Sequence, residues 1–210
     1  MGARLNYSEC LSLLHDLVDL APRDLVVRGR EISWGGSRVV LSRLFPEIQT
    51  DLKTYLDELP EEPPDYVVVL MRAGTASLGF FVEGELEAHK VIRKYMVRKS
   101  QGQMQIAYLN AKGKSRAGSR VRLRESVEFF EEINAKLTDW FEEFGDPGII
   151  FHSCPVRLKS YWFGSKVEPP FTSEDERLVH IPHHVHQPDH EELLRVNDLI
   201  SLSETLDSEE

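Results

Sequence analysis

The sequence predicts an α/β protein in which a mixed β-sheet is layered with helices. Three observations predict this fold class. The run "YVVVLM", Tyr66 to Met71, is apolar throughout, as in a buried strand, and two further strand-like segments follow it. Residues 119–144 carry apolar side chains at spacings of three and four, which is typical of a long amphipathic helix. Two more strands and a closing helix follow, and strands that alternate with helices indicate an α/β layered domain.

Residues 1–60 are predicted to form a small helical and hairpin segment. "YSECLSLLHDLVDLAP" repeats leucine at helical spacing, with Ser8 as the N-cap and Pro22 at the end. "LVVRGREISWGG" predicts a short hairpin about Arg28-Gly29, and residues 46–59 predict a second helix. The linker "PEEPPD" then has three prolines and three acidic residues, and it marks the best domain boundary in the chain.

Residues 66–205 are predicted to form a second domain that begins with a three-stranded meander. A glycine-containing basic loop, 98–118, follows the meander and precedes the long helix, which "GDPG" ends. The closing helix is introduced by Pro188 and Asp189. The predicted elements are strands at 66–71, 75–82 and 86–97, the helix at 119–144, the strands "IIFHS" and "LVHIP", and the helix "PDHEELLRVNDLISL".

The bulk composition excludes several classes of protein. The longest apolar run is far shorter than the roughly 20 residues that cross a bilayer, so we expect a soluble, cytoplasmic protein. Cys10 and Cys154 are too few for a disulfide framework or a thiolate zinc site, and we expect both to be buried thiols. His152 beside Cys154 could indicate a nucleophile pair. Pro155 argues against this, because it ends the strand that would align the two side chains.

The charge of the chain is distributed unevenly. The net charge is −10, yet Lys90 to Arg124 contains eleven Lys or Arg and no acidic residue, and the rest of the chain has fourteen basic against thirty-five acidic residues. Such a protein repels polyanions everywhere except at the basic segment. The charge pattern therefore predicts where a polyanionic partner binds.

The start of the long helix has an unusual charge. Helices favour acidic residues in the first turn because the helix dipole is positive there, yet Arg120, Arg122 and Arg124 crowd this one. Free backbone N–H groups, the dipole and arginine side chains together would make a phosphate site. The alternative is a solvated run of charge without a ligand.

A loop rich in Lys, Arg, Gly and Ser is suited to lie along a nucleic-acid backbone. Tyr108 is the one aromatic side chain in the loop, so we expect recognition of the shape and backbone of a folded RNA rather than readout of a single-stranded sequence.

The runs "HKVIRKYMVRKSQGQMQ" and "KGKSRAGSRVRLR", followed by the long helix, resemble the Vms-type release-factor-like family. Members share the catalytic domain of the eukaryotic peptide-chain release factor, so the resemblance implies that α/β fold. It also implies an enzyme of ribosome-associated quality control that frees a stalled nascent chain from its tRNA. The family's Gly-x-x-Gln motif corresponds here to Gly102 and Gln105.

The resemblance implies two possible reactions. One is hydrolysis of the peptidyl-tRNA ester, in which the glutamine orients water and the leaving hydroxyl. The other is cleavage of the tRNA strand near its CCA end. Neither reaction demands a metal or a cofactor. The implied partners are peptidyl-tRNA and the A site of the large ribosomal subunit, and we expect a monomer. The candidate phosphate contacts are Arg98, Lys99, Lys112, Lys114, Arg116, Arg120, Arg122 and Arg124.

Three alternatives stay open at the level of the sequence. Gly102-Gln103 competes with Gly102-x-x-Gln105 as the catalytic dipeptide, although we favour Gln105. A binding module that occupies the A site without catalysis would need the same basic loop. The stretch "HIPHHVHQPDH", from His180 to His190, could bind zinc or could be a polar surface segment.

Overall fold

The computed structural model describes residues 2–94 and 117–207, with the backbone alone for 117–126 and Asp207. The described residues form two five-stranded sheets and five helices. The elements are, in chain order, β1 (Arg4–Leu5), α1 (Tyr7–Leu20), β2 (Val26–Arg28), β3 (Glu31–Trp34), β4 (Ser37–Val40), α2 (Leu52–Glu58), β5 (Tyr66–Arg72), β6 (Thr75–Val82), β7 (Glu85–Arg93), α3 (Ala117–Phe144), β8 (Ile149–Ser153), α4 (Val156–Phe163), β9 (Leu178–His180), α5 (His190–Ser201) and β10 (Ser203–Asp207).

The first sheet has the strand order β1-β10-β4-β3-β2, and all of its neighbouring strands are antiparallel. The hairpin predicted about Arg28-Gly29 is confirmed, with Arg28 opposite Glu31. Gly29 has a φ of +60°, in the left-handed region that glycine adopts without steric cost. β10 lies between β1 and β4, so the last described strand of the chain joins a sheet built from the first 40 residues.

Side-chain caps set the starts of the first two helices. The predicted N-cap Ser8 is wrong, because Asn6 accepts a hydrogen bond from the Glu9 N–H at 2.9 Å and Glu9 accepts one from the Asn6 N–H, which completes a capping box. The second helix is shorter than the predicted 46–59. It begins after Asp51, whose carboxylate accepts the Thr54 N–H at 3.1 Å.

The second sheet has the order β7-β6-β5-β8-β9 and is mixed, as predicted. β5, β6 and β7 form the predicted antiparallel meander, whereas β8 pairs in parallel with β5, and β9 in parallel with β8. β7 ends at Arg93. The predicted strand continues to residue 97, but Lys94 is not part of the strand, and 95–97 lie outside the described residues.

Two hydrophobic cores lie on the two faces of the second sheet. Alternate residues of β5 point to opposite cores: Tyr66, Val68 and Leu70 to one, and Val67 and Val69 to the other. All five are fully buried. Both faces of β5 are therefore covered, which explains why its sequence is apolar throughout instead of alternating.

The predicted boundary at 60–65 separates two stretches of chain that share a core. The first core combines α1 and α2 with β5 and α5, and it includes Leu14, Tyr55, Val68 and Val196. The assignment of 1–60 as a unit separate from 66–205 stays a prediction. In the structure, the first 60 residues pack directly on the second sheet.

The long helix α3, predicted at 119–144, is confirmed and begins two residues earlier, at Ala117. The closing helix α5 is also confirmed, and Asp189 caps it by accepting the Glu192 N–H at 2.9 Å. None of the helices that the structure describes combines the length and apolar character needed to span a membrane.

Candidate functional site

Four strands of the second sheet end at the same edge. β5, β8 and β9 are parallel, and β7 runs in the same direction because β6 is antiparallel to both β5 and β7. Their last residues are Arg72, Ser153, His180 and Arg93, respectively. In open α/β sheets, ligands bind at the edge formed by the carboxyl ends of the strands. β7 and Lys94, the last described residue before the basic loop, end at this edge.

The amino end of α3 lies on the same side of the sheet. β8 begins at the opposite edge, where the Gly148 N–H donates to the Asp65 carbonyl at 2.8 Å, so α3 runs from the loop edge back across the sheet. Lys94 Nζ lies 3.2 Å from Glu132 Oε2, which joins the end of β7 to α3. The fifteen residue steps from Ala117 to Glu132 make about 22 Å of helix at 1.5 Å per residue, so the first turns of α3 extend beyond the strand ends.

The predicted site residues fall into two groups. Arg120, Arg122 and Arg124 lie in the first turns of α3, where the backbone alone is described. The described residues on either side of the loop therefore lie on the same side of the sheet: β7 ends at its edge, and α3 begins beyond that edge. The remaining predicted residues lie outside the described part of the chain, namely Arg98, Lys99, Gly102, Gln105, Lys112, Lys114 and Arg116.

Near this edge, a histidine in β8 and the cysteine that follows the strand lie in the second core. Burial, followed by the positive charge of Lys159, lowers the pKa of His152 to about 4. Burial raises the pKa of Cys154 to about 12. Both side chains are thus neutral at pH 7, and the thiol is a poor nucleophile. The expectation that both cysteines are buried thiols is confirmed.

The short helix α4 follows β8 and was not predicted from the sequence. It is held by Asn134 of α3, whose amide nitrogen donates to the carbonyls of Trp162 and Val167 at 3.1 and 2.7 Å. The Trp162 indole N–H donates back to Asn134 Oδ1 at 2.7 Å. Leu158 and Trp162, four residues apart after Pro155, were the sequence signal that could have indicated this helix.

The histidine-rich segment between β9 and α5 is fixed by hydrogen bonds to its backbone. Arg72 donates to the His186 carbonyl at 2.9 Å, and Arg195 donates to the His184 carbonyl at 2.9 Å. Arg195 also forms an ion pair with Glu192 at 2.7 Å, and that pairing lowers the pKa of Glu192. Within the described ranges, no group of three or more His, Cys, Asp or Glu side chains is placed to hold a metal ion.

The family model described as Bacteroidetes VLRF1 release factor matches residues 66–207, from the first residue of β5 to the last of β10. The match covers more than half of the chain and includes the basic loop. The chain belongs to this release-factor family. The predicted resemblance to the Vms-type release-factor-like family is confirmed.

Two relatives of this VLRF1-family chain add to the comparison. The mouse (Mus musculus) protein "tRNA endonuclease ANKZF1" is 28% identical over an alignment of 145 residues, and the alignment covers 67% of this chain and 19% of that protein. The chain therefore spans about one fifth of that relative. The solved structure "Vms1 mitochondrial localization core" superposes with a TM-score of 0.51 at 13% identity, covering 92% of this chain and 81% of that chain. This likeness confirms the predicted α/β fold.

Proposed function

We propose that this protein releases stalled nascent chains from tRNA on the ribosome, as an enzyme of ribosome-associated quality control. The observation that carries the proposal is the release-factor family match over 66–207, which includes "GQMQ", Gly102 to Gln105. The mouse relative's description as a tRNA endonuclease agrees with a tRNA substrate. The proposed partners are peptidyl-tRNA and the A site of the large ribosomal subunit, reached by a cytoplasmic monomer.

The charge distribution supports an RNA substrate. Lys90 to Arg124 has eleven basic and no acidic residues in a chain of net charge −10. The basic loop follows β7 and precedes α3, and the end of β7 and the backbone of the first turns of α3 lie on one side of the sheet. Binding that is confined to one side suits a protein that enters the ribosome with a single face toward the tRNA end.

The proposed chemistry depends on positioning by a neutral side chain. Gly102 gives the loop freedom to turn, and Gln105 orients the reacting groups at the 3′ end of the tRNA. In ester hydrolysis, water attacks the peptidyl carbonyl and the ribose hydroxyl leaves. In strand cleavage, a ribose 2′-hydroxyl attacks the adjacent phosphorus, which forms a cyclic phosphate and releases a 5′-hydroxyl. Arg or Lys side chains stabilise the phosphorane charge in the second route.

A release assay on stalled ribosome–nascent-chain complexes tests the enzyme proposal. Gln105→Ala should lower the rate of peptidyl-tRNA loss by about 10²- to 10³-fold, the effect of removing one positioned donor at a developing charge, while ribosome binding stays unchanged. Gln101→Ala is the matched control in the same loop and should retain wild-type activity. If wild type binds the complexes and leaves peptidyl-tRNA intact, the non-catalytic A-site module is the correct description.

The same assay separates the two open alternatives. If Gln103→Ala and not Gln105→Ala abolishes release, Gly102-Gln103 is the catalytic dipeptide. Mapping the 3′ end of the released tRNA distinguishes the two reactions, because an intact CCA end indicates ester hydrolysis and a cyclic phosphate indicates strand cleavage.

A further inference from the structure

The helix α4 lies in another acid-free basic segment. Residues 147–167 contain Arg157, Lys159 and Lys166 and no Asp or Glu, in a chain with 35 acidic residues. The α4 surface, defined here as the exposed residues Val156, Arg157, Tyr161 and Lys166, points away from the second core. The side chain of Val156 is 85% exposed. A surface with this charge and apolar character attracts a polyanion that also offers apolar faces.

Tyr161 is held as a flat aromatic surface. Its ring stacks on the ring of Phe130 from α3, with the centroids 6.2 Å apart and the planes 19° apart. Phe130 is buried, whereas Tyr161 is 47% exposed, so one side of the tyrosine is supported and much of it faces solvent. The neighbouring Trp162 is fixed by Asn134, which limits the movement of α4. Rigid aromatic rings of this kind stack on nucleic-acid bases.

The cations of the α4 surface are available for a ligand. Arg157 and Lys166 form no ion pair with any residue that the structure describes. Lys136 and Arg195, by contrast, pair with acidic side chains at 2.8 and 2.7 Å. An unpaired arginine or lysine can bind a phosphate without first losing a carboxylate partner.

The α4 surface is close to the start of α3. Phe130, which supports Tyr161, is six residue steps from Arg124 and ten from Arg120, or about 9 and 15 Å along the helix axis. α4 also begins directly after β8, at the edge where β7 leads into the basic loop. A single RNA strand can therefore reach both the α4 surface and the first turns of α3.

We propose that the α4 surface binds an RNA strand with an unpaired base, with Tyr161 stacking on the base and Arg157 and Lys166 contacting phosphates. The inference rests on the proposed function in one respect: the strand is the single-stranded 3′ end of a tRNA. The α4 surface then holds that end while the loop acts on it.

Binding of a labelled RNA hairpin with a single-stranded 3′ ACCA tail, measured by fluorescence anisotropy, tests this proposal. Tyr161→Leu keeps an apolar contact with Phe130 but lacks an aromatic face, and it should weaken binding about tenfold. Tyr161→Phe should bind within about twofold of wild type, because its ring still stacks. A hairpin without the tail should not distinguish these variants.

The double substitution Arg157→Gln, Lys166→Gln tests the phosphate contacts. It should weaken binding and reduce the magnitude of the slope of log affinity against log salt by about 1.4, at roughly 0.7 for each phosphate contact to a single strand. The matched control is Arg28→Gln, Lys53→Gln, which removes two exposed cations from other elements. The control should alter neither the affinity nor the slope. Thermal unfolding of each variant verifies that it is folded.

The outcomes separate this proposal from the proposed function. Wild-type affinity of both Tyr161→Leu and the Arg157/Lys166 variant would overturn the role of the α4 surface in RNA binding and would favour a protein partner there. Failure of wild type to bind the tailed hairpin would overturn it as well. If wild type binds the hairpin and the variants do not, yet wild type never releases peptidyl-tRNA, the α4 surface stands and the enzyme proposal fails.

Discussion

Substitution of Asn134 by alanine tests how α4 is held in place. Asn134 is fully buried, and its amide satisfies the carbonyls of Trp162 and Val167 and the indole N–H of Trp162. Without the amide, those groups lose their partners in the protein interior. Each unsatisfied buried group costs about 1–3 kcal/mol. Because Val167 is 37% exposed, its carbonyl can regain a hydrogen bond from water, and the indole N–H and the Trp162 carbonyl determine the loss.

We therefore expect Asn134→Ala to lower the free energy of unfolding by about 3–4 kcal/mol, a large part of the roughly 5–15 kcal/mol that stabilises a typical domain. The matched control is Lys136→Ala on the same helix. Among the described residues, the Lys136 side chain pairs only with Asp139, in a surface ion pair at 2.8 Å, so its loss should cost less than about 0.5 kcal/mol. Urea unfolding followed by tryptophan fluorescence and far-UV circular dichroism measures both variants.

A second variant of this residue distinguishes the hydrogen bonds from the volume of the side chain. Asn134→Asp can still accept the Trp162 N–H, but its carboxylate faces two carbonyl oxygens that formerly accepted from the amide. A protonated carboxyl can donate to one of them. The folded state therefore favours the protonated form, and Asn134→Asp should lose stability as the pH rises from 4 to 7. If Asn134→Ala costs no more than Lys136→Ala, the three hydrogen bonds do not hold α4, and our reasoning is refuted.

Two further predictions concern the second sheet. Burial lowers the pKa of His152 to about 4 in the folded state, whereas the pKa of an unfolded histidine is about 6.5. The unfolded state therefore binds the proton more readily. The contribution of neutral His152 to the free energy of unfolding is complete above pH 6.5 and is lost as the pH falls toward 4. In urea unfolding, the free energy of unfolding of wild type should fall between pH 7 and pH 4.5 by roughly 2 kcal/mol more than that of His152→Leu. Equal decreases in the two proteins would contradict the lowered pKa of His152. Gly79→Ala should lower stability by about 1–3 kcal/mol in thermal unfolding, because a Cβ would lie 2.9 Å from both Leu193 Cδ2 and Phe81 Cε2. A stability equal to wild type would mean that Leu193 moves aside freely.

The elements predicted from the sequence are those whose signal is local. The apolar run of β5 indicates a strand that is buried on both faces, and apolar residues spaced by three and four in α3 indicate a helix with one buried face. The Asp189 cap of α5 is local as well. In each case, the residues that determine the structure are neighbours in the sequence.

The missed elements depend on contacts between distant parts of the chain. β10 has the largely polar sequence "SETLD", and it is a strand because Glu204 pairs with Val40 on one side and with Arg4 on the other. α4 has only eight residues, and Pro155 at its N-cap makes no side-chain capping hydrogen bond. Its stability comes from the tertiary contact with Asn134.

The sequence predicted the positive charge of the candidate site but not its location in the fold. The sequence indicated the basic loop through a local excess of Lys and Arg. It could not indicate that β5 and β8 are parallel, with Tyr66 opposite Ile149, and that pairing puts the start of α3 on the side of the sheet where β7 ends. Tyr161 was missed for the same reason, because its support by Phe130 joins residues 31 positions apart.

The ionisable residues buried near the carboxyl-end edge of the second sheet are poor candidates for proton transfer. His152 lies in β8 and Cys154 follows that strand, and both ionisable side chains lie in the second core near that edge. Burial keeps both neutral at pH 7. A buried neutral thiol, and a buried imidazole whose Nδ1 has no hydrogen-bond partner in the described part of the chain, contribute packing rather than proton transfer to an external substrate. Acid–base catalysis by these two groups is therefore disfavoured. That is consistent with the proposed mechanism, in which a neutral glutamine on the loop orients groups that the RNA and water themselves supply.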